Sequence, residues 1–140
     1  MSTCIKKLLT ALFALLGAAC SGTGGETQGL TARLAFDPQP HVGWVECTVA
    51  LLNADGTPAQ CSEIELEGNM NHAGMVPEFA SAEPRGEGVF VAQLEFTMGG
   101  DWLIFVRGKS EAGQAFEIVT DVPGVRAQAR AAEVAQNTGK

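Results

Sequence analysis

The sequence predicts an all-β protein, an immunoglobulin-like β-sandwich of about seven strands, and three observations carry that expectation. Short runs rich in β-branched and aromatic residues recur at 30–36, 44–52, 61–67, 76–82, 89–96, 102–107 and 115–122, a length and spacing that suit two packed antiparallel sheets. Turn-forming clusters separate them. No stretch before residue 125 keeps the apolar period of an amphipathic helix. The 140 residues suffice for one domain, and 46% hydrophobic against 18% charged residues is the balance of a chain that folds.

Taken in order, the first element is a leader. Lys6 and Lys7 precede an apolar run at 8–16, and the small residues Gly17-Ala18-Ala19 stand directly before Cys20. That is the pattern of a signal peptide over 1–19, and the run is shorter than the roughly 20 residues a membrane-spanning helix needs. The cleavage site resembles the bacterial lipobox, with Gly17 where a bulky apolar residue is usual. The resemblance implies that the Cys20 thiol takes a diacylglyceryl group and becomes the new N-terminus. Residues 20–29 then read as a lipidated cysteine and a flexible tether, Ser21-Gly22-Thr23-Gly24-Gly25 being its core. The expected location is the cell envelope, facing the periplasm. Ser21 after the cysteine, by resemblance to Gram-negative lipoproteins, favours the outer membrane.

The sandwich is expected over 30–122. Asn53-Ala54-Asp55-Gly56 and Pro84-Arg85-Gly86-Glu87-Gly88 have the chemistry of hairpin connections. Alternation assigns faces: Phe90, Ala92, Leu94 and Phe96 share one side of their strand, and Trp102, Ile104 and Val106 one side of the next. Trp44 and Trp102 each open a strand, where packing in the core or at its rim is the ordinary role. Glu63, Glu65 and Glu67 read as the solvent side of an edge strand. Residues 123–140, Pro123-Gly124 and then an Ala-, Gln- and Arg-rich stretch, read as a tail, disordered or a short helix.

One passage is explained by neither strand nor turn. Gly68-Asn69-Met70-Asn71-His72-Ala73-Gly74-Met75-Val76-Pro77 concentrates soft donors in a polar loop. If 84–88 is a hairpin turn centred near residue 86, the antiparallel ladder carries Met98 back beside Gly74. Three thioethers and one imidazole then share a loop end, a donor set that selects Cu(I), whereas zinc prefers thiolate, imidazole or carboxylate. His72 must be neutral to coordinate. The bland reading is that methionine fills cores and a lone histidine sits on the surface. His41 is expected on the surface, joining the site only if its long connection folds back. Trp102, four residues after Met98, is placed to shield bound Cu(I).

Cys47 and Cys61 are an even pair in a compartment that favours oxidation, so a disulfide is the first expectation. Closing that loop would contribute roughly 3 kcal/mol. Strict hairpin register would pair Cys47 with Ile64 instead, which leaves two buried thiols and a thiolate copper site as the alternatives.

The formal charge of −7 becomes −9 once Lys6 and Lys7 leave with the leader, so no basic patch remains to neutralise phosphates and nucleic acid is not an expected partner. No Ser-His-Asp order, nucleotide loop or metal-hydrolase motif is present. Enzyme activity is not expected.

With these residues laid out, the chain over about 30–122 resembles the YtkA-like and FixH-like families of small exported or membrane-anchored β-sandwich proteins. The carriers are Val49-Ala50-Leu51-Leu52-Asn53-Ala54-Asp55-Gly56-Thr57-Pro58, the Met70-Asn71-His72-Ala73-Gly74-Met75 loop, and Gly88-Val89-Phe90 leading to Phe96-Thr97-Met98-Gly99-Gly100-Asp101-Trp102. The resemblance implies copper handling, including delivery toward respiratory oxidases, with Met70, His72, Met75 and Met98 as ligands. Asn69 and Asn71 stand where prolines are often found, Gly100-Asp101 lengthens the turn before Trp102, and the loop holds one histidine. The expected function is that of a copper-binding envelope lipoprotein, a carrier, chaperone or buffer for Cu(I) that exchanges metal with another envelope protein. The competing class is a non-metal immunoglobulin-like interaction module of the envelope.

Overall fold

The computed structural model describes residues 24–27, as backbone alone, and 29–127. The leader (1–19), Cys20 and the tail beyond residue 127 lie outside the described residues. Nine strands are present among them: β1 (Gly24–Thr27), β2 (Leu30–Asp37), β3 (Gly43–Asn53), β4 (Cys61–Asn69), β5 (Glu78–Ser81), β6 (Glu83–Gly86), β7 (Val89–Phe96), β8 (Gly100–Ser110) and β9 (Ala115–Val125). All pairings are antiparallel, in one sheet of order β1-β2-β3-β7-β6 and a second of order β5-β4-β8-β9. Setting β1 aside, this is the strand order of an immunoglobulin-like sandwich with one extra strand beside the third.

Alternation builds the core as expected. Phe90, Ala92, Leu94 and Phe96 of β7 face Trp102, Ile104 and Val106 of β8, with Val45, Cys47, Val49 and Leu51 of β3 and Ile64 and Leu66 of β4 around them, all buried. Each large apolar side chain so placed contributes about 1.5–3 kcal/mol. Phe96 meets Trp102 edge to face at 5.1 Å.

Two strands exceed the expected seven. β1 arises within the segment read as tether: the chain turns at Gly29, where φ is +76°, and Gly24–Thr27 pairs back along Leu30 to Arg33. The expected strand 76–82 divides in two. β5 pairs with β4, the Ala82 amide donates to the Ile64 carbonyl at 2.8 Å, and the chain then steps across the sandwich to pair as β6 with β7. Pro84 is tolerated there because β6 is an edge strand. β9 also continues through Pro123 and Gly124, and Arg126 bridges to His41. Residues 123–126 therefore belong to the sandwich and not to a tail.

Two surface expectations change. β4 is an interior strand, and two of its glutamates are paired on the outer face: Glu63 with Lys109 at 2.7 Å, and Glu67 with Arg107, which also meets Glu117 of β9 at 2.7 Å. Trp44 is 63% exposed on the outer face of β3 and packs in no core.

Up-and-down alternation sorts the connections into two ends. Residues 38–42, 70–77, 97–99 and 123–127 lie at one end; 54–60, 87–88 and 111–114 lie at the other.

Candidate functional site

All three methionines of the described chain and both histidines fall at the first of these ends. Asn69 turns the chain out of β4, its Oδ1 accepting from the Met70 amide at 2.9 Å. The His72 amide then donates to the Met70 carbonyl at 2.8 Å, and the Met75 amide to the His72 carbonyl at 3.4 Å. The result is a tight turn with Met70 and Met75 half-buried against the core and His72 exposed. His72 Nδ1 lies 3.0 Å from the Ala73 carbonyl. A carbonyl only accepts, so in the neutral ring Nδ1 carries the proton and the Nε2 lone pair is directed elsewhere, the tautomer of a ligating imidazole.

Met98 occupies the β7–β8 turn at 40% exposure. Trp102 fixes that turn by donating from Nε1 to the Met98 carbonyl at 3.0 Å. Trp102 is itself fully buried, so its role is to brace the turn from the core. Two glycines make the arrangement fit. Gly68 lets the Trp102 ring lie against β4, where a Cβ would sit 3.2 Å from the ring. Gly100, at φ +130°, receives the Met70 methyl, which would be 2.9 Å from a Cβ there. The Met70 side chain thus touches the β7–β8 turn, two residues from Met98.

The route by which the loops meet differs from the hairpin arithmetic. The β6–β7 ladder has Glu83 opposite Val91 and Gly86 opposite Val89, close to the expected register. It stops there, because β5 belongs to the other sheet and Met75 has no ladder partner in β7. Strand direction brings the two loops to one end instead.

His41 stands on the β2–β3 connection, which does fold back: Val42 donates to the Arg126 carbonyl at 2.8 Å and Arg126 to the Pro40 carbonyl at 3.2 Å. Gly99 packs against Val125 and Ala127 on the other side of Arg126. His41 Nδ1 lies 3.1 Å from the Gln39 carbonyl, which leaves its Nε2 in the same state as that of His72.

The cysteines take no part. The disulfide expected between Cys47 and Cys61 is not formed; both are free thiols. Cys47 is sealed in the first sheet between Phe36 of β2 and Ala92 of β7, while Cys61 begins β4 in the second sheet opposite Ser110. Burial pushes the Cys47 thiol up to about 12 and raises that of Cys61 as well, so neither offers a ready thiolate.

A cleft of about 450 Å³ opens beside the loop, lined by Asn71, Asp101, Trp102, Leu103, Asp121 and Pro123. Asp101 closes one side of it by accepting from the Gly124 amide at 2.8 Å. Another hollow, of about 460 Å³, lies over the paired charges Glu63, Arg107 and Lys109, away from the methionines. Among the described residues no three His, Cys, Asp or Glu side chains gather as a metal site. The donors that do share an end are thioethers and imidazoles.

The model of the YtkA-like family matches residues 26–107, from β1 into β8 and through both methionine-bearing loops. The chain belongs to the YtkA-like family. No curated protein and no solved structure matches it. This YtkA-like domain continues past the matched span through β9, and Val125 at its end with Arg126 just beyond it tie the β2–β3 and β7–β8 connections together. Gly68 and Gly100 escaped the sequence reading. Their signal was a glycine at the end of one strand and at the start of another, where close approach of a neighbour, as at Gly68, or a positive φ as well, as at Gly100, favours losing a side chain.

Proposed function

We propose that this YtkA-like protein is an envelope lipoprotein that carries, chaperones or buffers Cu(I), bound as cargo through Met70, His72, Met75 and Met98, without enzyme activity of its own. The single observation that carries the reading is the contact of the Met70 methyl with Gly100 in the turn that bears Met98, which joins two loops distant in sequence at one end of the domain. The donor chemistry fits the cargo: thioethers are soft and carry no proton, and His72 in its carbonyl-bound tautomer adds a neutral nitrogen. Carboxylates, which a harder ion would need, are missing from both loops. Lipidation of Cys20 would hold the domain at a membrane outside the cytoplasm, where a protein that accepts or donates copper is the natural partner.

The test is a Cu(I) competition titration on protein lacking the leader. Binding tighter than micromolar is expected, and Met70→Ala and Met98→Ala should each weaken it by about tenfold or more, as loss of one of three or four soft donors requires. Absence of binding at that level sinks the proposal. A second reading, a non-metal interaction module, draws support from Val76, 73% exposed at the tip of the same loop. It predicts that both variants leave the protein unchanged in function.

A further inference from the structure

The first described strand has a direction that matters for the whole domain. β2 runs from Leu30, level with Asn53, up to Asp37, level with Glu46 and close to the methionine end. β1 is antiparallel to it, with Gly24 opposite Arg33 and Thr27 opposite Leu30. Of the two ends of β1, Gly24 is therefore the one nearer the methionine end. Cys20 lies four residues before Gly24, a reach of at most about 14 Å. From Arg33 to Asp37 is also four residues, a rise of about 13 Å. From Arg33 to Leu30, toward the opposite end, is three residues, about 10 Å, so the reach of a lipid on Cys20 covers both ends and the choice between them falls to the surfaces themselves.

Charge then distinguishes the surfaces that could meet a bilayer. The sequence has 16 carboxylates, yet residues 38–42, 70–77, 97–99 and 123–127, which lie at the methionine end, contain none. Asp37, Glu78, Glu95, Asp101 and Asp121 border it from the strand ends, Glu95 standing opposite Trp44 and Asp101 being tied to the Gly124 amide. The opposite end has Asp55, Glu87 and Glu111, one in each connection. Glu46 and Glu95 lie on the outer face of the first sheet, and Glu63, Glu65 and Glu117 on that of the second. On the second sheet Glu63 and Glu117 are paired with Lys109 and Arg107, but the methionine end alone has connections with no carboxylate for an anionic lipid surface to repel. That end also presents exposed apolar side chains, Val76 and Met98 at its tips and Trp44 at its shoulder, tryptophan being the type that settles at a headgroup boundary.

We infer that the methionine end seats on the lipid surface to which Cys20 is anchored, with Val76, Met98 and Trp44 in the headgroup layer. The seat rests on lipidation of Cys20 and is independent of copper. It places the donor loops against the membrane, so that exchange of a cargo would take place with a protein embedded in that membrane.

Trp44 is exposed and Trp102 buried, so collisional quenching of fluorescence reports Trp44. The mature lipidated protein is reconstituted into vesicles of phosphatidylethanolamine and phosphatidylglycerol. Quenching by acrylamide should fall several-fold relative to detergent solution, and lipids brominated near the headgroup should quench. Trp44→Phe should remove both changes. Val76→Glu, at an exposed loop tip, should keep the protein on the vesicles while restoring quenching of Trp44. Protein that floats with the vesicles but leaves Trp44 as accessible as before overturns the seat while lipidation stands. Protein that does not float, with no lipid mass on Cys20, overturns lipidation and the seat together. Protection of Trp44 that requires an added envelope protein assigns this end to a protein partner and overturns the seat as well.

Discussion

The two ends of the sandwich satisfy their turns in different ways. At the acidic end two of the three turns are self-contained: Asn53 accepts from the Gly56 amide at 2.9 Å, Asp55 accepts from both the amide and the hydroxyl of Thr57, and Ser110 accepts from the Gly113 amide at 2.8 Å, while the 87–88 turn reaches across once, the Gly88 carbonyl accepting from the Leu51 amide at 2.7 Å. At the methionine end there are local bonds too, within 69–75 and from Trp102 to the Met98 carbonyl four residues earlier, but others run between elements far apart in sequence, from Val42 to Arg126 and from Gly124 to Asp101. A self-contained turn needs only its own residues. A cross-braced end needs the whole sandwich and holds side chains from several loops in fixed relation, which is the requirement of a binding site.

The largest effect should come from the brace itself. Trp102→Ala removes a fully buried ring and is expected to cost about 3–5 kcal/mol in urea unfolding. Trp102→Phe is the sharper probe, since it keeps most of the burial and deletes the bond to the Met98 carbonyl. It should cost about 1–2 kcal/mol and also weaken Cu(I) binding. A stability loss with unchanged Cu(I) affinity would mean that the turn holds Met98 without help.

Gly100→Ala comes next. It forces a side chain into φ +130° and against the Met70 methyl, at a cost of about 1–3 kcal/mol, mostly from the backbone. The methyl is the free end of a flexible chain and will yield. Thermal melts should show a modest loss, while Cu(I) affinity falls more than that loss explains. Gly56, equally left-handed at the acidic end but with open space around it, should show a stability cost with no change in Cu(I) binding.

The close contacts at Gly68 and Gly100 mark where sequence reading stopped. Strand positions and faces were legible because alternation is local: the 89–96 strand and its inward Phe90, Ala92, Leu94 and Phe96 stand as expected. The division of 76–82 was not, since leaving one sheet for the other depends on what Ile64 and Val91 offer from elsewhere in the chain. The methionine loops were legible as composition. Their meeting was expected through a ladder that does not reach them, and it occurs because strand direction alternates. The Cys47 to Cys61 bridge was suggested by parity and compartment, while the packing of Cys47 between Phe36 and Ala92 was visible only once β2, β3 and β7 were assembled.

The two thiols compare the middle of the core with the acidic end. Cys61 should react with a maleimide in the native protein and Cys47 only on unfolding, and equal rates would show that the first sheet opens as readily as the start of β4. The pH dependence follows from the raised Cys47 value of about 12. The folded state keeps this thiol protonated where the unfolded chain has already released it. Its contribution is therefore intact below the ordinary thiol pKa and is lost as pH rises toward about 12. Chemical unfolding between those limits should show a downward slope that Cys47→Ala flattens.

The smallest effect belongs to Asp55. Hydrogen bonds from the Thr57 hydroxyl and amide hold its carboxyl below the usual range. A lowered carboxylate supports folding above its ordinary pKa, and that support is lost as pH falls through the lowered value. Asp55→Ala should therefore give a slight fall in Tm at neutral pH that vanishes in acid, because the wild-type turn has by then lost the same bonds. Cu(I) affinity should not move, since nothing in this turn reaches the other end. If it did move, the two ends would be coupled through β3, and the self-contained turn would be part of the brace.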